Sequence, residues 1–408
     1  MRNRPSLITP RRLGLVAVLL ALTAVRGFGS ATPADPVEEP WAPSEEPPSF
    51  DDRVWRSRVD AALAPSECSP ATEVAVPPGS YAGMLIDTHF HMPHIPDSPP
   101  GAEPGESEIE GFGDGGGDWE FEPVETDPIR IQQPLAGKNI TNTQLACLLR
   151  TDGTDGAFAF FPVFEHIQGQ LLDLARRTME EHGDVFVPFI MPPGPHDVQP
   201  TVDAVTVSEM VSVYPGLFQG YGEMGLYEIP GVRGTDYPPD AQIFQEIYPV
   251  VREHGLMVYF HPGSHQRDNL ANALEANPDI SFIVHGDQIE GDVAGLMDRF
   301  PNIYYPVDAI YGDQYLLRPE ETIESFLAAT SDFEPLLEAD LEKWKTVIEE
   351  HPDRFMWGTD RGGSAVWTYD LGVSLRLAAY GRAFIGGLDP DVQERFAYGN
   401  AARLIADG

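Results

Sequence analysis

Six residues of this chain have the types and spacing to hold a divalent cation: His89, His91, Glu223, His261, His285 and Asp360. His89 and His91 close the apolar run LIDTHFH with one residue between them. Side chains two apart on a strand face the same way. Both imidazoles could therefore address one ion, at about 2.0–2.1 Å if the ion is zinc. The bland reading of such a pair is two polar residues finishing a strand. Against it stand Glu223 in GYGEMG, His261 in VYFHPG, His285 in FIVHGD and Asp360 in MWGTDRG, each at the end of its own apolar run. One polar residue in such a place can be a satisfied core group. Four histidines and two carboxylates, all at predicted strand ends, point to a metal-assisted reaction.

The elements that carry these residues alternate regularly. Beyond residue 81 the apolar runs are GMLIDTHFH, GAFAFFPVF, DVFVPFIMP, LFQGYGEMG, LMVYFHPG, ISFIVHGD, NIYYPVDA and RFMWGTDRG. Amphipathic stretches such as QGQLLDLARRTMEEHG and AQIFQEIYPVVREHG lie between them, and several end on His-Gly or Asn-Pro stop signals. Eight strand–helix alternations predict an α/β fold, the (β/α)8 TIM barrel, whose chemistry sits at the C-terminal ends of the strands. A doubly wound open sheet is the alternative, but no Gly-rich phosphate loop follows a first strand. Just past other strand ends lie Arg233, His265 and Arg361, and Asp308 ends the seventh run; these four are candidate substrate contacts.

The motifs also resemble those of the amidohydrolase superfamily, in particular its amidohydrolase-related branch. DTHFH is similar to that family's first-strand metal motif. FHPG, FIVHGD and WGTD are similar to its fifth-, sixth- and eighth-strand motifs, and YGNAARLI (398–405) to its terminal helix. The resemblance runs from about residue 83 to the end. It implies that His89, His91, His261, His285 and Asp360 are metal ligands or catalytic groups. Asp360 would be the general base and His285 a second catalytic group. Many members bridge two metals with a carbamylated lysine on strand four. No lysine occurs between Lys138 and Lys343, which closes that option here. Glu223 could bridge instead, as in some nuclease members, or simply bond neighbouring backbone.

The resemblance implies a divalent metal, zinc foremost, as one ion or two. With Glu223 as a bridge, the expected activity is hydrolysis, water activated by metal attacking a small-molecule ester, lactone or amide. The alternative is a metal-dependent non-oxidative decarboxylase or other lyase on the same barrel, which needs no ligand from strand four. A non-catalytic barrel ranks last, because no member of the metal set is missing.

Composition narrows the partners. Acids outnumber bases 64 to 26, for a formal net charge of -38. This acidic protein repels nucleic-acid backbones and anionic membranes, so a small molecule is the expected substrate and no nucleic acid is expected to bind. Homo-oligomers remain open. Lysine occurs only at 138, 343 and 345; adaptation to high salt and a GC-rich genome both account for that.

Residues 1–31 read as a signal peptide, with Arg2, Arg4, Arg11 and Arg12 ahead of the apolar run LGLVAVLLALTAV and small residues at Gly29-Ser30-Ala31. The run is shorter than the roughly 20 residues that span a bilayer. The expectation is therefore an exported protein, periplasmic or secreted, without a stable membrane anchor. Residues 32–80 form a tether and a packing segment, and 81–408 the barrel. An acidic Gly/Pro-rich insertion at 97–128 follows the first strand as a lid, an ion site or a disordered segment. Cys68 and Cys147 could pair in an oxidising space or stay as two buried thiols.

Overall fold

The computed structural model describes residues 58–65, 78–93, 140–163, 168–195, 201–228, 236–308, 310, 322–362 and 369–407. The leader (1–31), most of the tether, the acidic insertion, Cys68 and Arg233 lie outside the described residues.

The strands are β1 (Ile86–His91), β2 (Gly156–Pro162), β3 (Phe186–Met191), β4 (Gly220–Gly225), β5 (Met257–His261), β6 (Phe282–Val284), β7 (Ile303–Val307) and β8 (Phe355–Trp357). Between them run α1 (Asn142–Asp152), α2 (Gln168–His182), α3 (Ala204–Val213), α4 (Gln242–Glu253), α5 (Arg267–Ala276) and α6 (Asp287–Met297). Helices α7 (Ile323–Ala329) and α8 (Glu334–Glu350) both lie between β7 and β8, and α9 (Leu371–Gly386), α10 (Pro390–Glu394) and α11 (Asn400–Asp407) follow.

The strands pair in parallel, in sequence order, as one eight-stranded sheet. Parallel strands covered on both faces need nearly continuous apolar sequence, and GAFAFFP of β2 is buried at every position. The sheet curls until its edges meet. His91 N donates to the Arg361 carbonyl at 2.8 Å, and Thr88 Oγ1 donates to the Trp357 carbonyl at 2.7 Å. The result is the nearly closed (β/α)8 barrel that the alternation predicts.

Two apolar layers follow. Ile86, Phe158, Phe160, Val187, Phe189, Met257, Tyr259, Ile283, Tyr304 and Met356 fill the barrel interior. The alternate strand residues, such as Leu85, Phe90, Tyr221, Val258, Phe260, Phe282 and Tyr305, pack outward against the helices. Ala401 and Leu404 of α11 join the interior layer. Asn400 Nδ2 donates to the carbonyls of Pro352 and Phe355 at 2.9 and 2.8 Å. Phe355 begins β8, so α11 stoppers the N-terminal end of the barrel and leaves the other end for chemistry.

Local signals set the helix starts. Thr141 and Gln144 form a reciprocal capping box on α1, and Gly153 takes the left-handed φ of 83° that ends it. Asp203 and Asp370 cap α3 and α9, each cap contributing about 1 kcal/mol. Val59, Ala62 and Leu63 of the segment before β1 are buried in the outer layer. Cys147 on α1 is disulfide-bonded. Among the described residues no helix is long and apolar enough to cross a membrane.

Candidate functional site

Strict alternation along β1 would turn its histidines the wrong way. Ile86 points into the barrel and Phe90 points out, which plain alternation cannot satisfy. The register against β2 slips between Asp87 and Phe90, where β1 carries one more residue than its neighbour. This bulge shifts the phase, so that His89 and His91 both face inward at the mouth. Strand β4 does the same. Its register slips between Tyr221 and Met224, both of which face out, and Glu223 is turned inward. The β4 bulge needs glycine at 222, where φ is 118° and a Cβ would lie 2.2 Å from the Tyr259 carbonyl oxygen.

The other strands deliver their residues in ordinary phase. His261 ends β5 two residues after inward Tyr259, and His285 follows β6 two residues after inward Ile283. Asp308 follows β7, in phase with inward Tyr304. Asp360 lies three residues past β8 with φ at 53°, the one positive value among described residues other than glycine. Asp tolerates that conformation better than most residues.

The six residues singled out for metal chemistry converge. His89 Nε2 lies 3.2 Å from His91 Nε2 and 3.0 Å from Glu223 Oε2. His91 Nε2 lies 3.1 Å from the same carboxylate oxygen. Asp360 Oδ1 is 3.2 Å from Nε2 of both His89 and His91. The other oxygen of Glu223, Oε1, accepts from His285 Nε2 at 2.5 Å and lies 3.5 Å from His261 Nδ1. One carboxylate therefore stands between two pairs of imidazoles. Phe160 and Tyr259 form the floor, with ring centroids 5.4 and 5.3 Å from His89.

The four candidate substrate contacts separate. Arg233 lies outside the described residues. His265 is half exposed and pairs with Asp236 at 3.0 Å, apart from the cluster. Asp308 turns to the histidines: its Oδ2 accepts from His89 Nδ1 at 2.6 Å and lies 3.2 Å from His285 Nδ1. Arg361 corrects the expectation of a substrate contact. Its side chain is fully buried and bonded to Asp87 at 3.0 Å, Asp152 at 2.8 Å and the Ser374 hydroxyl at 2.5 Å. Thr359 Oγ1 donates to Asp87 at 2.6 Å, and His89 N donates to the same carboxylate at 3.2 Å. Arg361 thus ties the ends of β1 and β8 to α1 and α9, bracing the strands that present His89, His91 and Asp360.

Sequence reasoning missed two further members. Gln288 Oε1 lies 2.7 Å from His261 Nε2, which leaves the Nδ1 side of that ring toward Glu223. Gly286 makes room for the same ring, because a Cβ there would sit 2.1 Å from His261 Nε2. Both lie within three residues of His285, at the β6–α6 turn.

Charge in the site is mutually supporting. Burial alone would push the Glu223 carboxyl up, but His285 and His89 beside it hold it well below the carboxylate range. Burial likewise opposes charge on Asp308, and its bonds to His285 and His89 outweigh that and hold it low. Burial would lower His89, yet Asp360 and Glu223 raise it well above the usual histidine range. His285 is raised to about 9, with Glu223 overcoming the burial penalty.

This donor set fits divalent cations. Three carboxylates, Glu223, Asp308 and Asp360, face four imidazoles, a formal -3 with the rings neutral. The groups His89–His91–Glu223 and Glu223–His261–His285 each bring their ligand atoms within 4.8 Å of one another.

The amidohydrolase family model matches residues 86–406. No curated protein matches the chain. Among solved structures, a probable 2-pyrone-4,6-dicarboxylic acid hydrolase from Acinetobacter baumannii with citric acid bound is 12% identical, over 79% of this chain and 99% of that one, with a TM-score of 0.44. An amidohydrolase from Burkholderia multivorans with bound zinc is 14% identical, over 79% and 99%, with a TM-score of 0.47. A dihydroorotase from Campylobacter jejuni is 11% identical, over 79% and 83%, with a TM-score of 0.41. Since the family match runs from the first strand of the barrel into the helix that stoppers it, this chain belongs to the amidohydrolase family and is an enzyme of that superfamily.

Proposed function

We propose that the protein is a metal-dependent hydrolase that cleaves a small-molecule ester, lactone or amide, and that it works outside the cytoplasm. The observation that carries this reading is the two-sided Glu223 carboxylate, with Oε2 toward His89 and His91 and Oε1 toward His285 and His261. His89, His91 and Asp360 would hold one divalent ion, His261 and His285 a second, and Glu223 would be shared. When bound, such ions supply Lewis acidity, polarising the scissile group and acidifying water.

The chain's own groups divide the remaining work. Asp360 is the most open of the three carboxylates, its side chain 22% exposed against 11% for Glu223 and 7% for Asp308. It takes the proton of the attacking water on its carboxylate and returns it to the leaving oxygen or nitrogen as that bond breaks. The Oδ1 atom faces His89 and His91, so the proton moves through Oδ2. Phe160 and Tyr259 keep water from beneath the histidines, and His285 steadies the Glu223 oxygen that faces it. The charge of -38 supports a substrate other than a polyanion.

The test is metal content together with two substrate panels. Purified protein should carry zinc or another divalent ion. Chelation should abolish, and metal should restore, hydrolysis of esters, lactones or amides. Carbon dioxide released from carboxylated substrates, with all three bond classes untouched, would overturn hydrolysis in favour of decarboxylation.

A further inference from the structure

We propose that Asp308 is a positioning residue that sets the tautomer and orientation of His89 and His285 together, so that one carboxylate aims both halves of the site. The proposal rests on the metal-dependent reading above. Asp308 Oδ2 lies 2.6 Å from His89 Nδ1 and 3.2 Å from His285 Nδ1. An ionised carboxylate only accepts, and one of its oxygens has room for two donors. His89 Nδ1 therefore carries a proton and points it at Asp308, His285 Nδ1 lies within ion-pair reach of the same oxygen, and both Nε2 atoms are turned toward Glu223. His89 Nε2 meets Oε2 at 3.0 Å and His285 Nε2 meets Oε1 at 2.5 Å.

The two rings belong to opposite sides of Glu223. His89 stands with His91 and Asp360, and His285 with His261. The rings lie edge to face at 4.2 Å between centroids, so Asp308 can reach both without moving. The remaining imidazoles are held otherwise. His91 Nδ1 is buried without a hydrogen-bond partner among the described residues, its ring packed edge-on to Phe160 at 5.2 Å. His261 leans on Gln288. Beside Glu223, Asp308 is the one carboxylate among the described residues that reaches a ring from each side, and its side chain is 7% exposed, which suits an orienting group better than a substrate contact. Carboxylates behind ligating histidines fix the ring and raise its basicity, and losing one typically lowers metal affinity by about 10–100-fold.

The experiment compares wild type with Asp308→Ala, which removes the acceptor, and Asp308→Asn, which keeps its size and covers an alanine variant that fails to fold. Zinc affinity is read by competition with a chromophoric chelator. Proton NMR of metal-free, nitrogen-15 histidine-labelled protein reads the two Nδ1–H signals. The expected result is that Asp308→Ala weakens every bound zinc by about 10–100-fold and moves both Nδ1–H signals upfield together, with Asp308→Asn between it and wild type. Affinity unchanged within about twofold, one ring shifting alone, or zinc bound by Asp308 itself would overturn the proposal. Wild type that binds no zinc would overturn the hydrolase reading instead, and the metal-free NMR signals would still decide the role of Asp308.

Discussion

Glutamine at position 223 should change how the metal-free protein responds to pH. His285 has an ordinary pKa of 6.5 and is raised to about 9 in the fold, with Glu223 the largest of the raising influences. A group raised on folding stabilises fully below its unfolded value, and that stabilisation fades as pH climbs through the folded value. The contribution of His285 is therefore present below about pH 6.5 and gone above about pH 9. The difference is worth roughly 3 kcal/mol, or roughly 4–5 °C of melting temperature for a domain of this size. Glu223→Gln removes the main cause of the shift, and the melting temperature should then drift by less than about 2 °C over that range. The assay is thermal unfolding of chelator-treated protein at intervals from pH 6 to 9.5. Parallel curves for wild type and Glu223→Gln would refute the electrostatic account of the cluster. On the proposed two-ion reading, the same variant should also bind one ion in place of two, because a neutral amide bridges two cations poorly.

Three further outcomes follow from the geometry. Gly286→Ala should displace the His261 ring and, on the proposed two-ion reading, lower metal occupancy on that side while His89 and His91 keep theirs; metal analysis of the purified variant checks it. Arg361→Leu strands Asp87 and Asp152 in the core and should cost about 3–5 kcal/mol of stability, read by denaturant unfolding, and its loss should exceed that of any exposed arginine such as Arg150. If export proceeds as the leader suggests, mass spectrometry of the exported protein should find an N-terminus near Thr32, and an intact Met1 would reject cleavage.

Much of the fold was legible because the alternation of apolar runs and helical stretches is itself the barrel's signature. His261 and His285 were legible for the same reason: each ends a run in simple two-residue phase. Asp308 carries that phase too, in YYPVD, but a strand-end acid looks the same whether it meets substrate or a histidine behind the site. Arg361 misled for a related reason. Its place beside Asp360 put it near the mouth, while its burial depends on Asp87 and Asp152, which lie 274 and 209 residues away. Gln288 and Gly286 gave no chemical signal of their own. Their parts come from the close approach of β5 and β6, and a glycine already expected at a strand-to-helix turn carries no further information.

The bulges in β1 and β4 let each strand take up an extra residue without turning the ligands away from the cavity. An extra residue kept in plain alternation would act as a half-turn of the strand, exchanging which side chains meet the cavity and which meet the helices; taken up as a bulge, it does not. Loss of Thr88 alone would leave Ile86-Asp87-His89-Phe90-His91, in which plain alternation still turns both histidines inward, and loss of Gly222 would likewise keep Glu223 inward between Tyr221 and Met224. A lineage on this barrel could therefore shed either extra residue and keep the ligands facing the cavity, with Ile86, Phe158, Phe189 and Tyr259 below them undisturbed. Comparing such relatives position by position would mislead if a single gap at either point were scored as loss of the site.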